Sequence, residues 1–385
     1  MVVEIHGFCK PQYEELKNAF LQDFEEGLEV GASCAVIIDG RYVVDIWAGH
    51  KDIAKTIFWE KDTLVNVYSI TKIMTALCVH ILVDKRLIDV EQPVAKYWPE
   101  FAQNGKEKLP VKYLMSHSAG LLGWDIPLTQ EDLYNWDKVT NLLATYKPWW
   151  ESGTQSGYHG VTFGYLLGEL VRRITGKSLG TFFKEEVAKP LGADFHIGLP
   201  EEHDNRVAEL FPPELPEGFA DTFPTSIGER SFFNPIISPA PSSIKSRGYL
   251  AAEIPAVNGQ GNARSMARIG SVVACNGRLD GRRYLSRRTI RKAIKQQIYG
   301  TDLIVGPTRW GLGWALPTKE DTPYWETWRA CSGGGMGGSR LVMDIENKLC
   351  FAYAMNKMIL EIPETGDPRT YKLIKILYEC IREDK

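Results

Sequence analysis

The stretch Val67-Tyr68-Ser69-Ile70-Thr71-Lys72-Ile73-Met74-Thr75-Ala76-Leu77-Cys78-Val79-His80-Ile81-Leu82 decides how the rest of the chain is read. It holds no Gly or Pro, and Asp84 and Lys85 close it with polar residues. Ile70, Ile73, Met74, Leu77, Ile81 and Leu82 follow helical spacing, while Ala76, Cys78 and Val79 make the other faces apolar. A helix that is apolar nearly all round is a buried one. Ser69 and Lys72 sit near its start, on one face and roughly 5–6 Å apart at Cβ. Burial favours the neutral amine of a lysine, and a neutral amine can take a serine's hydroxyl proton. Alone, the pattern is weak, because average composition gives roughly one or two chance Ser-x-x-Lys matches in a chain this long. A second match, Ser242-Ser243-Ile244-Lys245, follows Pro235, Pro239 and Pro241, lacks apolar periodicity and reads as a loop.

Outward from that helix the pattern changes. Ala32 to Ile38 and Tyr42 to Trp47 are β-rich runs joined through Asp39-Gly40-Arg41, a hairpin signal. Leu341 to Ile345 and Leu349 to Met355 form a second such pair. Pro11 to Phe24 and Tyr371 to Glu383 read as terminal helices. Val111 to Met115, Thr162 to Ile174, Ala263 to Asn276 and Arg287 to Gln297 read as further helices, and residues 195 to 260 as loops framing a pocket entrance. The fold class is therefore α/β (α+β). An antiparallel β-sheet, built from residues 1–60 and 255–385, is flanked by the terminal helices, and residues 61–254 form an inserted, mainly helical domain. The helix bearing Ser69 lies at the seam, where pockets form.

Bulk properties exclude several classes. With 45 Lys and Arg against 48 Asp and Glu, the net charge of -3 argues against nucleic acid and anionic membranes as partners. No apolar run approaches a membrane span, and residues 1–30 show no apolar core of a signal peptide, so the expected location is the cytoplasm. The seven cysteines are scattered, with no Cys-x-x-Cys and no metal spacing, and are expected to be reduced.

Two more segments carry chemistry. In Glu151-Ser152-Gly153-Thr154-Gln155-Ser156-Gly157-Tyr158-His159-Gly160, the glycines mark a loop before a helix. Tyr158 there can aim its hydroxyl into a cleft and shuttle a proton beside a lysine. An ordinary aromatic anchor is the competing reading, and His159 reads as a loop histidine rather than a base. The third segment is Cys331-Ser332-Gly333-Gly334-Gly335-Met336-Gly337-Gly338-Ser339. Trp325 and Trp328 before it and strand signals after it argue against a flexible linker. A phosphate loop would need a following helix. A strand whose bare backbone lies against substrate and binds an oxyanion fits best.

In this order the three segments resemble the serine β-lactamase and penicillin-binding-protein superfamily, in its class C-like branch and closest to the family VIII carboxylesterases. Ser69-Ile70-Thr71-Lys72 matches the first motif, and Tyr158-His159-Gly160-Val161-Thr162-Phe163-Gly164 the esterase form of the second. Leu64-Val65-Asn66, Ser116-His117-Ser118-Ala119-Gly120-Leu121 and Gly261-Asn262-Ala263-Arg264-Ser265 extend the likeness. The resemblance implies a β-lactamase/transpeptidase-like fold and a serine hydrolase that cleaves small carboxylic esters through an acyl-enzyme. It implies Ser69 as nucleophile, Lys72 and Tyr158 as proton relay, and the backbone N–H groups of Ser69 and Met336 as oxyanion hole. Gly333, Gly334 and Gly335 would line the substrate, with no metal or cofactor needed. They stand where true β-lactamases have Lys-Thr-Gly, which puts carboxylate recognition in doubt. The rivals are a β-lactamase, D-Ala peptidase or acyltransferase, and a non-catalytic, filament-forming relative. Oligomeric state is left open, a homodimer included. The Gly-x-Ser-x-Gly elbow of α/β-hydrolases is absent.

Overall fold

The computed structural model describes residues 3–212, 226–232, 234–319, 327–359 and 367–383. Residues 213–225 and 233 of the loop-rich stretch lie outside these, as does Trp325.

Among the described residues nine strands form one antiparallel sheet: β1 (Ile5–Cys9), β2 (Gly31–Ile38), β3 (Arg41–Gly49), β4 (Ile298–Asp302), β5 (Gly306–Trp310), β6 (Ala315–Leu316), β7 (Ala330–Gly334), β8 (Arg340–Asp344) and β9 (Leu349–Met355). Their order is β1-β3-β2-β9-β8-β7-β6-β5-β4. The two ends of the chain meet at β2 and β9, where Ile38 faces Leu349 and Ala32 faces Met355. Asp39 (φ 47°) and Gly40 (φ 78°) make the β2–β3 turn. Two successive positive φ angles give the turn whose twist matches the strands.

Five helices frame this sheet and the site: α1 (Glu14–Glu25), α2 (Ile70–Asp84), α3 (Thr162–Thr175), α4 (Ala263–Ala274) and α5 (Pro368–Glu383). Cys34 and Val36 of β2 pack with Phe20 and Phe24 of α1 and Leu373 and Leu377 of α5. The alternate residues, Ala35 and Ile37, join the core on the opposite face. That period of two is what a sheet buried on both sides requires. The second face is covered by α4, which lies so close that a Cβ on Gly270 would come 2.6 Å from Cys350 Sγ. The same core runs on into the helical middle of the chain through Ile73 and Leu77 of α2 and Phe163, Leu166 and Leu170 of α3.

Several local expectations need correction. The helix read from Val67 begins at Ile70, because Val65–Asn66 pair with Gln260–Gly261 and Tyr68 has φ 42°. A left-handed residue cannot continue a right-handed helix. The second Ser-x-x-Lys is a one-turn helix, Pro241–Ile244, rather than a loop. Strands β1 and β4 to β6 were not expected at all. All seven cysteines are unpaired thiols.

Candidate active site

Ser69 stands immediately before α2, at its N-terminal cap, and the sequence forces it there. Val67 N donates to Gly259 O at 3.0 Å and Gly259 N to Thr71 Oγ1 at 2.9 Å, so the short ladder at Val65–Asn66 runs straight into the helix. Thr71 Oγ1 in turn donates to Tyr68 O at 2.5 Å, bracing the left-handed residue that turns Ser69 outward. Such a backbone costs of order 1–3 kcal/mol and collects at functional sites.

Lys72 lies one turn further on. Its Nζ is 3.0 Å from Ser69 Oγ and 3.0 Å from Ala256 O. The side chain is buried, and that desolvation pushes its pKa well below the ordinary lysine value. A neutral amine has two N–H bonds and one lone pair. One N–H satisfies Ala256 O, and the lone pair is left for the Ser69 hydroxyl.

Tyr158 arrives from the loop before α3, as the sequence suggested. Lys72 Nζ sits 4.7 Å from the centroid of its ring. The ring stacks on Trp310 of β5 (5.9 Å, 14° between planes) and contacts His117 at 4.8 Å. His159 is held by the protein's own backbone. It is fully buried, its Nε2 accepts from Leu121 N at 3.2 Å, and its Nδ1–H donates to Gly157 O at 2.7 Å. Burial lowers its pKa to about 3, so it is a neutral strut. His117 is a second strut, held neutral by burial, and its Nδ1 accepts from His159 N at 3.0 Å.

The glycine run closes the site from the sheet. β7 ends at Gly334, and Gly335 N donates to Ser339 O at 2.7 Å, so Met336 sits in the turn beyond the strand. A Cβ on Gly335 would stand 2.2 Å from Val67 O, two residues ahead of Ser69, and one on Gly333 2.8 Å from Ile73 Cδ1. The glycines are thus needed first for the chain's own close packing. Gly335 is buried, while Gly333 and Gly334 keep part of their backbone open. Among the described residues, the backbone N–H groups of Ser69 and Met336 make no hydrogen bond. For Ser69 this is ordinary in a first helical turn, and Met336 is exposed, so its N–H is open to solvent or to a ligand.

Two residues escaped the sequence reading. Asp302, at the end of β4, accepts the backbone N–H of Tyr158 at 2.9 Å. Trp310 supplies the stacking ring and donates to Asp302 Oδ2 at 3.2 Å. In the second Ser-x-x-Lys, Ser243 Oγ donates to Gln130 Oε1 at 2.7 Å and Lys245 reaches Glu209 at 3.7 Å.

An antiparallel sheet meeting a helical region, with serine, lysine and tyrosine gathered at the start of one buried helix, defines the Ser-x-x-Lys class of the β-lactamase/transpeptidase fold. A family profile described as Beta-lactamase matches residues 20–373, and the chain belongs to that family. It is 35% identical over 390 residues to Esterase/beta-lactamase LipL from Mycobacterium tuberculosis, covering 96% of this chain and 88% of that protein. A crystal structure of a family VIII carboxylesterase superposes with a TM-score of 0.90 at 39% identity, covering 98% of this chain and 100% of the other. A penicillin-binding protein homologue from Caulobacter crescentus superposes with a TM-score of 0.89 at 34% identity, covering 98% and 100%.

Proposed function

We propose that this protein is a carboxylesterase that cleaves small, neutral carboxylic esters through an acyl-serine intermediate. The observation that carries it is the buried Lys72 Nζ, 3.0 Å from Ser69 Oγ. Ser69 Oγ attacks the ester carbonyl as its proton passes to Lys72. The carbonyl oxygen becomes an oxyanion, bound by the N–H groups of Ser69 and Met336. The proton returns through the Lys72–Tyr158 pair to the departing alcohol. A water molecule then repeats the sequence on the acyl-enzyme and frees the acid.

The choice of ester over lactam rests on Gly333. A β-lactam carries a carboxylate, and a positioned lysine would hold it by a charge-assisted bond of about 1.5–3 kcal/mol. Gly333 supplies only backbone, and a side chain grafted there would have to displace Ile73. Arg264 is engaged elsewhere, donating to Asp45 Oδ2 at 2.6 Å and to Lys61 O at 2.8 Å. Arg340 stacks over Tyr371, 5.4 Å from the ring centroid. The exposed Met336, Leu303 and Val305 add apolar surface beside the site, which suits uncharged substrates.

Seven unpaired thiols suit a reducing compartment, and we place the protein in the cytoplasm. No helix among the described residues is long and apolar enough to cross a membrane. Turnover of p-nitrophenyl acetate and butyrate by wild type, and its loss in Ser69→Ala, tests the proposal; an inert wild type would favour a non-catalytic relative.

A further inference from the structure

We propose that Asp302 is a positioning residue for Tyr158, acting through two separate grips, one on the tyrosine's backbone and one on the ring beneath it. This rests on the reading of Tyr158 as half of the proton relay.

Asp302 is 2% exposed, and among the described residues no cation lies within ion-pair distance of it. A carboxylate so buried is costly unless N–H donors surround it. Four do. Oδ1 accepts from Tyr158 N at 2.9 Å, Ile304 N at 2.9 Å and Val305 N at 3.3 Å. Oδ2 accepts from Trp310 Nε1 at 3.2 Å. The bonds to Ile304 and Val305 are local and would serve any Asp at a tight turn. The other two reach beyond that turn, to Trp310 on the paired strand β5 and to Tyr158. Tyr158 lies 144 residues away in sequence, and its ring stacks on the same indole that Asp302 holds. One carboxylate therefore fixes where the tyrosine's main chain enters the site and the plane of the ring it lies on. Leu303 N adds a bond to Ser156 O at 3.0 Å, tying the same hairpin to the loop two residues before Tyr158. The phenol needs such fixing because it comes from a glycine-marked loop rather than from a helix. A misplacement of about 1 Å in a reacting group can cost about 100-fold in rate.

A turn-capping role and a positioning role differ in one measurable respect. If Asp302 acts through the phenol, removing the phenol must remove the effect. We expect Asp302→Ala to lower kcat for p-nitrophenyl butyrate about 10- to 100-fold, with KM changed by less than about 3-fold. In a Tyr158→Phe background the same change should cost less than about 2-fold. Trp310→Phe keeps the stacking ring but deletes the indole N–H, and should show a smaller loss that also vanishes in that background. Asp302→Asn keeps an acceptor for Tyr158 N but sets its own N–H against Trp310, and should fall between wild type and alanine. It also carries the test where the alanine variant does not fold. Wild-type kcat in Asp302→Ala, or an equal loss with and without the Tyr158 hydroxyl, would overturn the proposal while leaving the relay intact. Full activity in Tyr158→Phe alone would remove the relay itself, and the proposal with it.

Discussion

Lys72 Nζ stands at 3.0 Å from both Ser69 Oγ and Ala256 O, so the amine is oriented before any substrate arrives. Ala256 belongs to the segment leading into α4, and Ser69 to the segment leading into α2. The Ser69 Oγ to Lys72 Nζ distance is therefore held by the segments leading into two helices, not by the serine's own rotamer alone.

A pH dependence follows with a definite sign. Lys72 must be neutral to accept the serine proton, and burial lowers its pKa well below the solvated value of about 10.4. Activity is lost as pH falls through that lowered pKa and regained above it. The acidic limb of kcat/KM for p-nitrophenyl butyrate should lie well below pH 10, leaving the enzyme active near neutrality. A limb that appears only near pH 10 would mean a solvated, protonated lysine and no base.

Lys72 and Tyr158 should behave as one unit. Proton-transfer groups each contribute about 10²–10⁴-fold. Lys72→Ala and Tyr158→Phe should each reduce kcat by about 100-fold or more, with the double variant little worse than the worse single. Losses that simply multiply would show two independent groups.

The glycine run makes a graded prediction. A Cβ at Gly335 meets backbone, Val67 O at 2.2 Å, whereas at Gly333 it meets the end of the Ile73 side chain at 2.8 Å. A side-chain end can shift and a backbone carbonyl ahead of the nucleophile cannot. Gly335→Ala should displace the Met336 N–H and lower kcat by about 10²-fold or more, the loss typical of a removed oxyanion donor. Gly333→Ala should cost far less. Equal effects would place the oxyanion donor elsewhere.

Much of this site was legible because its signals are local. Ser69 and Lys72 are one helical turn apart, and the β2–β3 and β8–β9 hairpins are β-rich runs set around short turn segments. Other parts were hidden for physical reasons. β4, Ile298–Asp302, is exposed along most of its length and shows no alternation, so no period-two pattern marks it. Asp302 was invisible as a site residue because its partner is 144 residues distant. Tyr68 looked like the first turn of a helix because apolar periodicity does not record the sign of φ. Gly333 and Gly334 lie in a bare strand as read, but the strand ends there, and the reason for Gly335 in the turn beyond is the carbonyl of Val67, which only the packing reveals.

Substrate choice can be measured on the wild type. A missing charge-assisted bond of about 1.5–3 kcal/mol is worth roughly 10- to 150-fold in binding. With Gly333 in the lysine position, kcat/KM for p-nitrophenyl butyrate should exceed that for nitrocefin by about 100-fold. Comparable values would show that another cation holds the lactam carboxylate and would end the ester assignment.

The central claim is that Ser69 carries the acyl group. Intact-mass and peptide mass spectrometry after treatment with a p-nitrophenyl phosphonate reads it directly. The account predicts one adduct, on Ser69, with none in Ser69→Ala and slow labelling in Lys72→Ala. An adduct on Ser242 or any other residue, or an unmodified Ser69 in an enzyme inactivated by the reagent, would contradict it.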